Sequence, residues 1–184
     1  MVKDIVTYPN PILRKKSKVV EKFDKELHTL LDNMNDTMIE KGGVGLAAIQ
    51  IGIPLNVLII NIPVPDTQST EKDAELQLEE NLIEAVNPII TKKDGEYVFN
   101  EGCLSVPGFN ADVTRSKDIE VTYFDRFGKE QTMVCEEFLA VAWQHEMEHL
   151  SGHVFVENLS FLKRKKFEKE WKRELKEKSK KGKR

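Results

Sequence analysis

The chain has 184 residues, 40% hydrophobic and 32% charged, with 28 Lys and Arg against 31 Asp and Glu and a formal net charge of −3. That composition is too apolar for intrinsic disorder, and two cysteines are too few for a disulfide scaffold. A single catalytic body is expected, with its thiols kept reduced in a cytoplasmic setting.

The near-neutral total conceals a split. Residues 163–184 hold 13 basic and 4 acidic side chains, a net +9, whereas residues 1–162 hold 15 basic and 27 acidic, a net −12. An acidic body with a basic tail leaves a polyanion partner open. The first residues lack both the apolar core of a signal peptide and the Arg/Ser-rich character of a transit peptide. Residues 42–65 carry no charge, yet Pro54, Pro63, Gln50, Asn56 and Asn61 interrupt them. A bilayer helix needs about 20 continuous apolar residues. A loop followed by a buried strand fits better, and no membrane partner is expected.

In chain order, Tyr8-Pro9-Asn10-Pro11 reads as an extended entry segment, because the residue before a proline is pushed out of the helical region. Apolar residues Leu27, Leu30, Leu31, Met34, Met38 and Ile39 recur at helical spacing over 24–41, with Asp24 as N-cap and Gly42-Gly43 as stop. Branched residues over 55–62 predict a buried strand. Residues 63–84, with seven acids and one lysine, predict a surface loop with a short helix near its end. Short strands follow over 85–90, 97–99, 119–124 and 131–134, the last two joined by a turn at Asp125-Arg126-Phe127-Gly128. A second helix runs from Glu136 to Gly152, and a third begins near Ser160. The mixture lacks a regular βαβ rhythm. It predicts an α+β fold of small antiparallel or mixed sheets around a central helix, with a C-terminal helix. Residues 1–162 are read as the catalytic body and 163–184 as a basic helix and tail.

The central helix carries His145-Glu146-Met147-Glu148-His149. Histidines four apart share one helix face, so both imidazoles can reach one cation, and Glu146 can take a proton from water held there. A catalytic divalent metal usually wants a third protein ligand. Ten residues beyond the first histidine, where some zinc sites have a third, stands Phe155. Glu168 and Glu170 lie downstream among lysines, where they read as solvated partners. His153 follows Gly152 and reads as a loop histidine. Cys103, in Glu101-Gly102-Cys103-Leu104-Ser105, offers a thiolate. Cys135 reads as a small core residue.

Three motifs occur in order along the chain: Gly43-Val44-Gly45-Leu46-Ala47-Ala48-Ile49-Gln50, Glu101-Gly102-Cys103-Leu104-Ser105, and Gln144-His145-Glu146-Met147-Glu148-His149-Leu150. With the opening Tyr8-Pro9-Asn10-Pro11-Ile12-Leu13-Arg14, they resemble the bacterial peptide deformylases from about residue 4 to 162. Glu148 stands where the family usually has Asp, and residues 63–84 are longer than in the shortest members.

The resemblance implies removal of the N-formyl group from the initiator methionine of nascent polypeptides, with formate released. It implies Cys103, His145 and His149 as ligands of one divalent ion, Fe2+, with Zn2+, Ni2+ or Co2+ able to substitute. The metal would lower the pKa of its water to give a hydroxide, with Glu146 as general base and then acid. Gln50 and the Leu104 N–H would steady the oxyanion. Gly43, Val44, Gly45, Glu101, Phe99, Phe138, Val141 and Ala142 would form the substrate site, with Glu101 also paired to Arg115. The stripe Phe167, Trp171 and Leu175 would dock the tail helix, leaving its basic side for the ribosome near the exit tunnel. No DNA partner is expected. The competing readings are a zinc peptidase using His145, His149 and a downstream Glu, and a ribosome-binding module with a vestigial site.

Overall fold

A computed structural model describes residues 1–69 and 74–181. The elements in chain order are α1 (Lys25–Glu40), β1 (Gly45–Ala47), β2 (Val57–Ile60), β3 (Val64–Pro65), β4 (Glu75–Leu76), β5 (Ile83–Asp94), β6 (Tyr97–Glu101), β7 (Ala111–Arg115), β8 (Asp118–Phe124), β9 (Glu130–Glu136), α2 (Glu137–Leu150) and α3 (Phe161–Lys181). The fold is α+β. Five strands form one antiparallel sheet in the order β1-β2-β5-β8-β9, and β3-β4 and β6-β7 form two-stranded ladders. Among the described residues, the mixed pairing expected from the sequence is limited to a lone parallel bridge between Lys18 and Leu55.

The large sheet lies between two helices, and β2 shows why its four residues are all apolar. Ile59 and Val57 join Leu31, Met34 and Met38 of α1 in one core, whereas Leu58 and Ile60 join Ala140 and Trp143 of α2 in another. Alternate side chains leave a strand on opposite faces, so a strand covered on both sides must be apolar throughout. Each fully buried large side chain contributes about 1.5–3 kcal/mol relative to exposure. Asp24 caps α1 by accepting from the N–H groups of Glu26 and Leu27 at 3.0 and 3.1 Å.

A third core lies beneath the β6-β7 ladder and α3. There Phe167 and Trp171 pack with Tyr8, Phe109, Val113 and Phe155, and the Trp171 indole N–H donates to the Tyr8 carbonyl at 2.9 Å. The tail stripe therefore docks on the body, although Leu175 remains exposed. The residues of the terminal basic run at 182–184 lie outside the described residues.

The acid-rich segment is more than a loop. It forms the short β3-β4 ladder and, near its end, a 3-10 turn over Glu79–Asn81. Two further strands, β1 and β7, have no signature in the sequence; each is ordered by pairing with its neighbour in the chain, β2 and β6. Among the described residues, no helix is long and apolar enough to cross a membrane.

Candidate metal centre

Strands and helix deliver the site from three directions. α2 lies with one face against the sheet and starts without a side-chain cap; the Glu137 N–H instead donates to the Lys117 carbonyl at 2.9 Å. Gln144, one residue before the first histidine, fixes this helix by accepting from the Ser116 N–H at 3.0 Å and donating to the Ser116 and Ala140 carbonyls at 2.8 and 2.9 Å. Gln144 opens the third motif in the sequence, but spacing does not show this bracing, because the amide's partner lies in the β7-β8 connection.

Two turns of that helix put His145 and His149 on one face, both buried, with ring centroids 5.1 Å apart. The turn after β6 brings Cys103 to them, with Sγ 3.3 Å from His149 Nε2. One ligand atom from each of Cys103, His145 and His149 lies within 4.8 Å of the others. Among the described residues this is the only such group of three or more His, Cys, Asp or Glu side chains. His153 pairs instead with Glu157 at 3.1 Å and is 42% exposed, and Glu168 pairs with Arg164 at 3.2 Å. A thiolate with two imidazoles is a donor set that fits a divalent transition ion such as Fe2+ or Zn2+.

Burial works against charge on both histidines. The Cys103 and Glu101 groups nevertheless hold the His145 pKa well above its ordinary value, whereas burial and the charge of His145 hold His149 well below. His145 Nδ1 bonds to Glu101 Oε2 at 2.8 Å, which leaves Nε2 for the cation side. Glu101 also takes a bidentate pair of bonds from Arg115, and Arg115 reaches Glu148 at 2.9 and 3.0 Å. Asn158 donates to both oxygens of Glu148 at 3.0 Å. The expected ion pair of Glu101 and Arg115 is thus one link in a chain from His145 to the partly exposed Glu148. Burial alone would raise the Glu101 pKa, but the Arg115 bonds hold it down. Removing one partner of so buried a pair costs about 3–5 kcal/mol.

Glu146, on the same helix, is buried with Oε2 unpartnered, and burial pushes its pKa up to about 7. Gln50 is fixed beside Cys103: its Oε1 accepts from the Ala47 N–H at 2.8 Å, and its Nε2 donates to Ser105 Oγ at 3.2 Å and lies 3.6 Å from Cys103 Sγ. These groups open onto a cavity of about 390 Å³. Gly43, Val44 and Gly45 form one wall and Phe99, Phe138, Val141 and Ala142 another, with Glu101, Cys103, Leu104, His145, Glu146 and Gln50 also lining it. Phe99 and Phe138 meet with ring centroids 4.9 Å apart. His149 is the one expected site residue that does not line the cavity; it lies fully buried behind Cys103. Pro107 and Gly108 line the cavity too and carry no signal in the sequence beyond their turn chemistry.

Fold and site together define an α+β protein with a Cys-His-His group of metal-site geometry beside a largely apolar pocket. The family described as polypeptide deformylase matches residues 2–165. The peptide deformylase of Nautilia profundicola is 52% identical over 180 residues, covering 98% of this chain and 99% of that protein. Among solved structures, the peptide deformylase from Legionella pneumophila is 38% identical, with a TM-score of 0.81, covering 97% of this chain and 98% of the other. The Met-Ala-Ser bound class I type b peptide deformylase from Acinetobacter baumannii is 31% identical, with a TM-score of 0.77, covering 86% of this chain and 99% of the other. The chain belongs to the peptide deformylase family, metallohydrolases that remove the N-formyl group from nascent polypeptides. That membership sets aside the zinc-peptidase reading, and Glu168, one of its downstream candidates, pairs with Arg164 instead.

Proposed function

We propose that this chain hydrolyses the N-formyl group of formyl-methionyl nascent peptides in the bacterial cytoplasm, with Cys103, His145 and His149 holding one Fe2+ ion. The carrying observation is the convergence of those three ligand atoms within 4.8 Å beside the buried, half-unpartnered carboxyl of Glu146. When bound, the ion supplies a Lewis acid that lowers the pKa of water and polarises a carbonyl; Zn2+, Ni2+ or Co2+ could substitute.

The chain's own groups do the rest. Glu146 accepts a proton from the attacking water and returns it to the leaving amine nitrogen, as general base and then acid. Gln50 Nε2, 3.6 Å from Cys103 Sγ, and the Leu104 N–H donate to the oxyanion as the formyl carbon becomes tetrahedral. Donors set in advance each contribute about 3–4 kcal/mol at a transition state. Phe99, Phe138, Val141 and Ala142 receive the methionine side chain, and Gly43, Val44 and Gly45 bound the backbone of the peptide. The Met-Ala-Ser bound relative supports a methionine-first peptide in this pocket.

α3 supports the ribosome as a partner. Lys163, Lys165, Lys166, Lys169, Lys172 and Arg173 are exposed on it, while Phe167 and Trp171 turn inward. We read residues 1–162 as the catalytic body and 163–184 as its basic arm, with no DNA partner. Formate release from a formyl-Met peptide under anaerobic conditions, beside the unformylated peptide, tests the activity. Glu146→Ala should abolish release while metal content stays intact. Release from that variant at the native rate would overturn the assignment of the base.

A further inference from the structure

The Gly43–Gly45 wall of the cavity is tied down by a segment that never touches the cavity. Gly43 N–H closes α1 on the Met38 carbonyl at 2.9 Å, and the Val44 carbonyl accepts from the Asn61 N–H at 2.9 Å. The remaining carbonyl, that of Gly43, accepts from Gln77 Nε2 at 2.9 Å, and the same amide donates to the Asn61 carbonyl at 2.7 Å. Asn61 answers with its own amide, which donates to the Leu78 carbonyl at 2.9 Å. The two side chains thus lock the strand end after β2, the cavity wall and the residues after β4 into one unit. β4 is held in turn by β3, through the pairs Val64 with Leu76 and Pro65 with Glu75.

The consequence reaches the site through packing. A Cβ on Gly43 would stand 2.8 Å from Leu104 Cδ1, so the wall already touches the residue after Cys103. An unheld Gly43 carbonyl frees a segment that carries no Cβ of its own to fix its backbone at Gly42 and Gly43. We infer that Gln77, reaching back from the acid-rich arm, is a positioning residue that holds the Gly43–Gly45 wall for substrate by bridging the Gly43 and Asn61 carbonyls. The arm therefore serves binding. The inference rests on the proposed deformylase reading, in which that wall meets the peptide.

Gln77→Leu keeps the volume and removes the donor; Gln77→Glu sets a carboxylate oxygen against two carbonyl oxygens. Both, purified as full chains loaded with metal, are compared with the parent chain on a formyl-Met peptide. Loss of the two hydrogen bonds should raise KM about tenfold in Gln77→Leu and more in Gln77→Glu, with kcat within about twofold. Amide exchange at Gly43, Val44 and Gly45, read on the same proteins without substrate, should rise in both. Unchanged KM and unchanged exchange in both variants would overturn the inference. So would a drop in kcat and thermal midpoint with no change in KM, which marks a purely structural brace. If the parent chain releases no formate, the functional reading fails, and exchange at the three amides still decides whether Gln77 holds the wall.

Discussion

Gly45 and the Glu146 carboxyl occupy adjoining parts of one volume: a Cβ on Gly45 would stand 2.6 Å from Oε1 and 2.9 Å from Cγ of Glu146. Both backbones are held in place. Gly45 is paired with Ile60 at the edge of the sheet, and Glu146 projects from a helix pinned by Gln144. The glycine is thus required less for backbone freedom than for the room it leaves the carboxyl. Gly45→Ala should displace that carboxyl by about an ångström and lower kcat/KM about 100-fold. Metal content should stay at the parent level, because the three atoms nearest that Cβ all belong to Glu146 and none to Cys103, His145 or His149. A variant within a few-fold of the parent in formate release would show that the carboxyl can move without cost.

The two thiols should answer metal removal differently. Cys103 is partly exposed in a turn and lies 3.3 Å from His149 Nε2, whereas Cys135 is 1% exposed in β9 and burial pushes its thiol up to about 11. With Cys103 as a metal ligand, as proposed, the ion would shield its sulfur and a chelator would uncover it. Alkylation near pH 8 should therefore label one thiol per chain after chelation and far less before it. Peptide mapping should place the label on Cys103, with Cys135 unlabelled until the protein is unfolded. Labelling of Cys135 in folded protein would contradict the packing of β9 against Ala140 and Trp143.

Much of this centre is legible in the sequence, for a physical reason. His145 and His149 sit on a helix, where spacing alone decides which side chains share a face. α1 is legible likewise, from the period of Leu27, Leu30, Leu31 and Met34 and from the Asp24 cap. β1 and β7 are not. Gly45-Leu46-Ala47 holds no β-branched residue and is a strand only because β2 lies beside it. Ala111–Arg115 alternates weakly and gains its order from β6, ten or more positions earlier. Gln77 is invisible for the same reason: the carbonyl it holds is 34 positions away. Local periodicity carries helices; partners remote in the chain decide strands and braces.

The β8-β9 connection offers a pH-dependent element away from the metal. Asp125 Oδ1 accepts from the N–H groups of Phe127 and Lys129 at 2.9 and 3.0 Å, and Oδ2 accepts from Gln131 at 3.0 Å. Slight burial acts to raise its pKa, but these bonds and the nearby Lys129 charge hold it below the ordinary value. A carboxyl whose folded pKa is depressed adds stability above its unfolded pKa, and that stability fades as pH falls through the folded one. Asp125→Ala should therefore be less stable than the parent across neutral pH. The gap should begin to narrow below about pH 4, where the unfolded carboxyl takes up its proton. Urea unfolding of the two metal-free proteins from about pH 7 to about pH 3 measures it. A gap constant over that whole range would assign the loss to the turn's shape and not to the carboxylate.

The basic arm calls for a test that leaves the core intact. Cutting the chain after Leu162 would remove Phe167 and Trp171, which pack on Tyr8 and Phe155, so lost function would report a damaged body. Charge reversal on the outward side avoids this. A quadruple variant carrying Lys165→Glu, Lys169→Glu, Lys172→Glu and Arg173→Glu alters only exposed side chains and should keep the deformylase rate on a free peptide. If these groups contact RNA phosphates, each contact contributes about 0.7–0.9 to the slope of log affinity against log salt. Co-sedimentation with ribosomes at low salt should fall sharply in the variant, and its remaining binding should depend less steeply on salt. Binding equal to the parent's at every salt concentration would remove α3 from the contact and leave its lysines a solubility role.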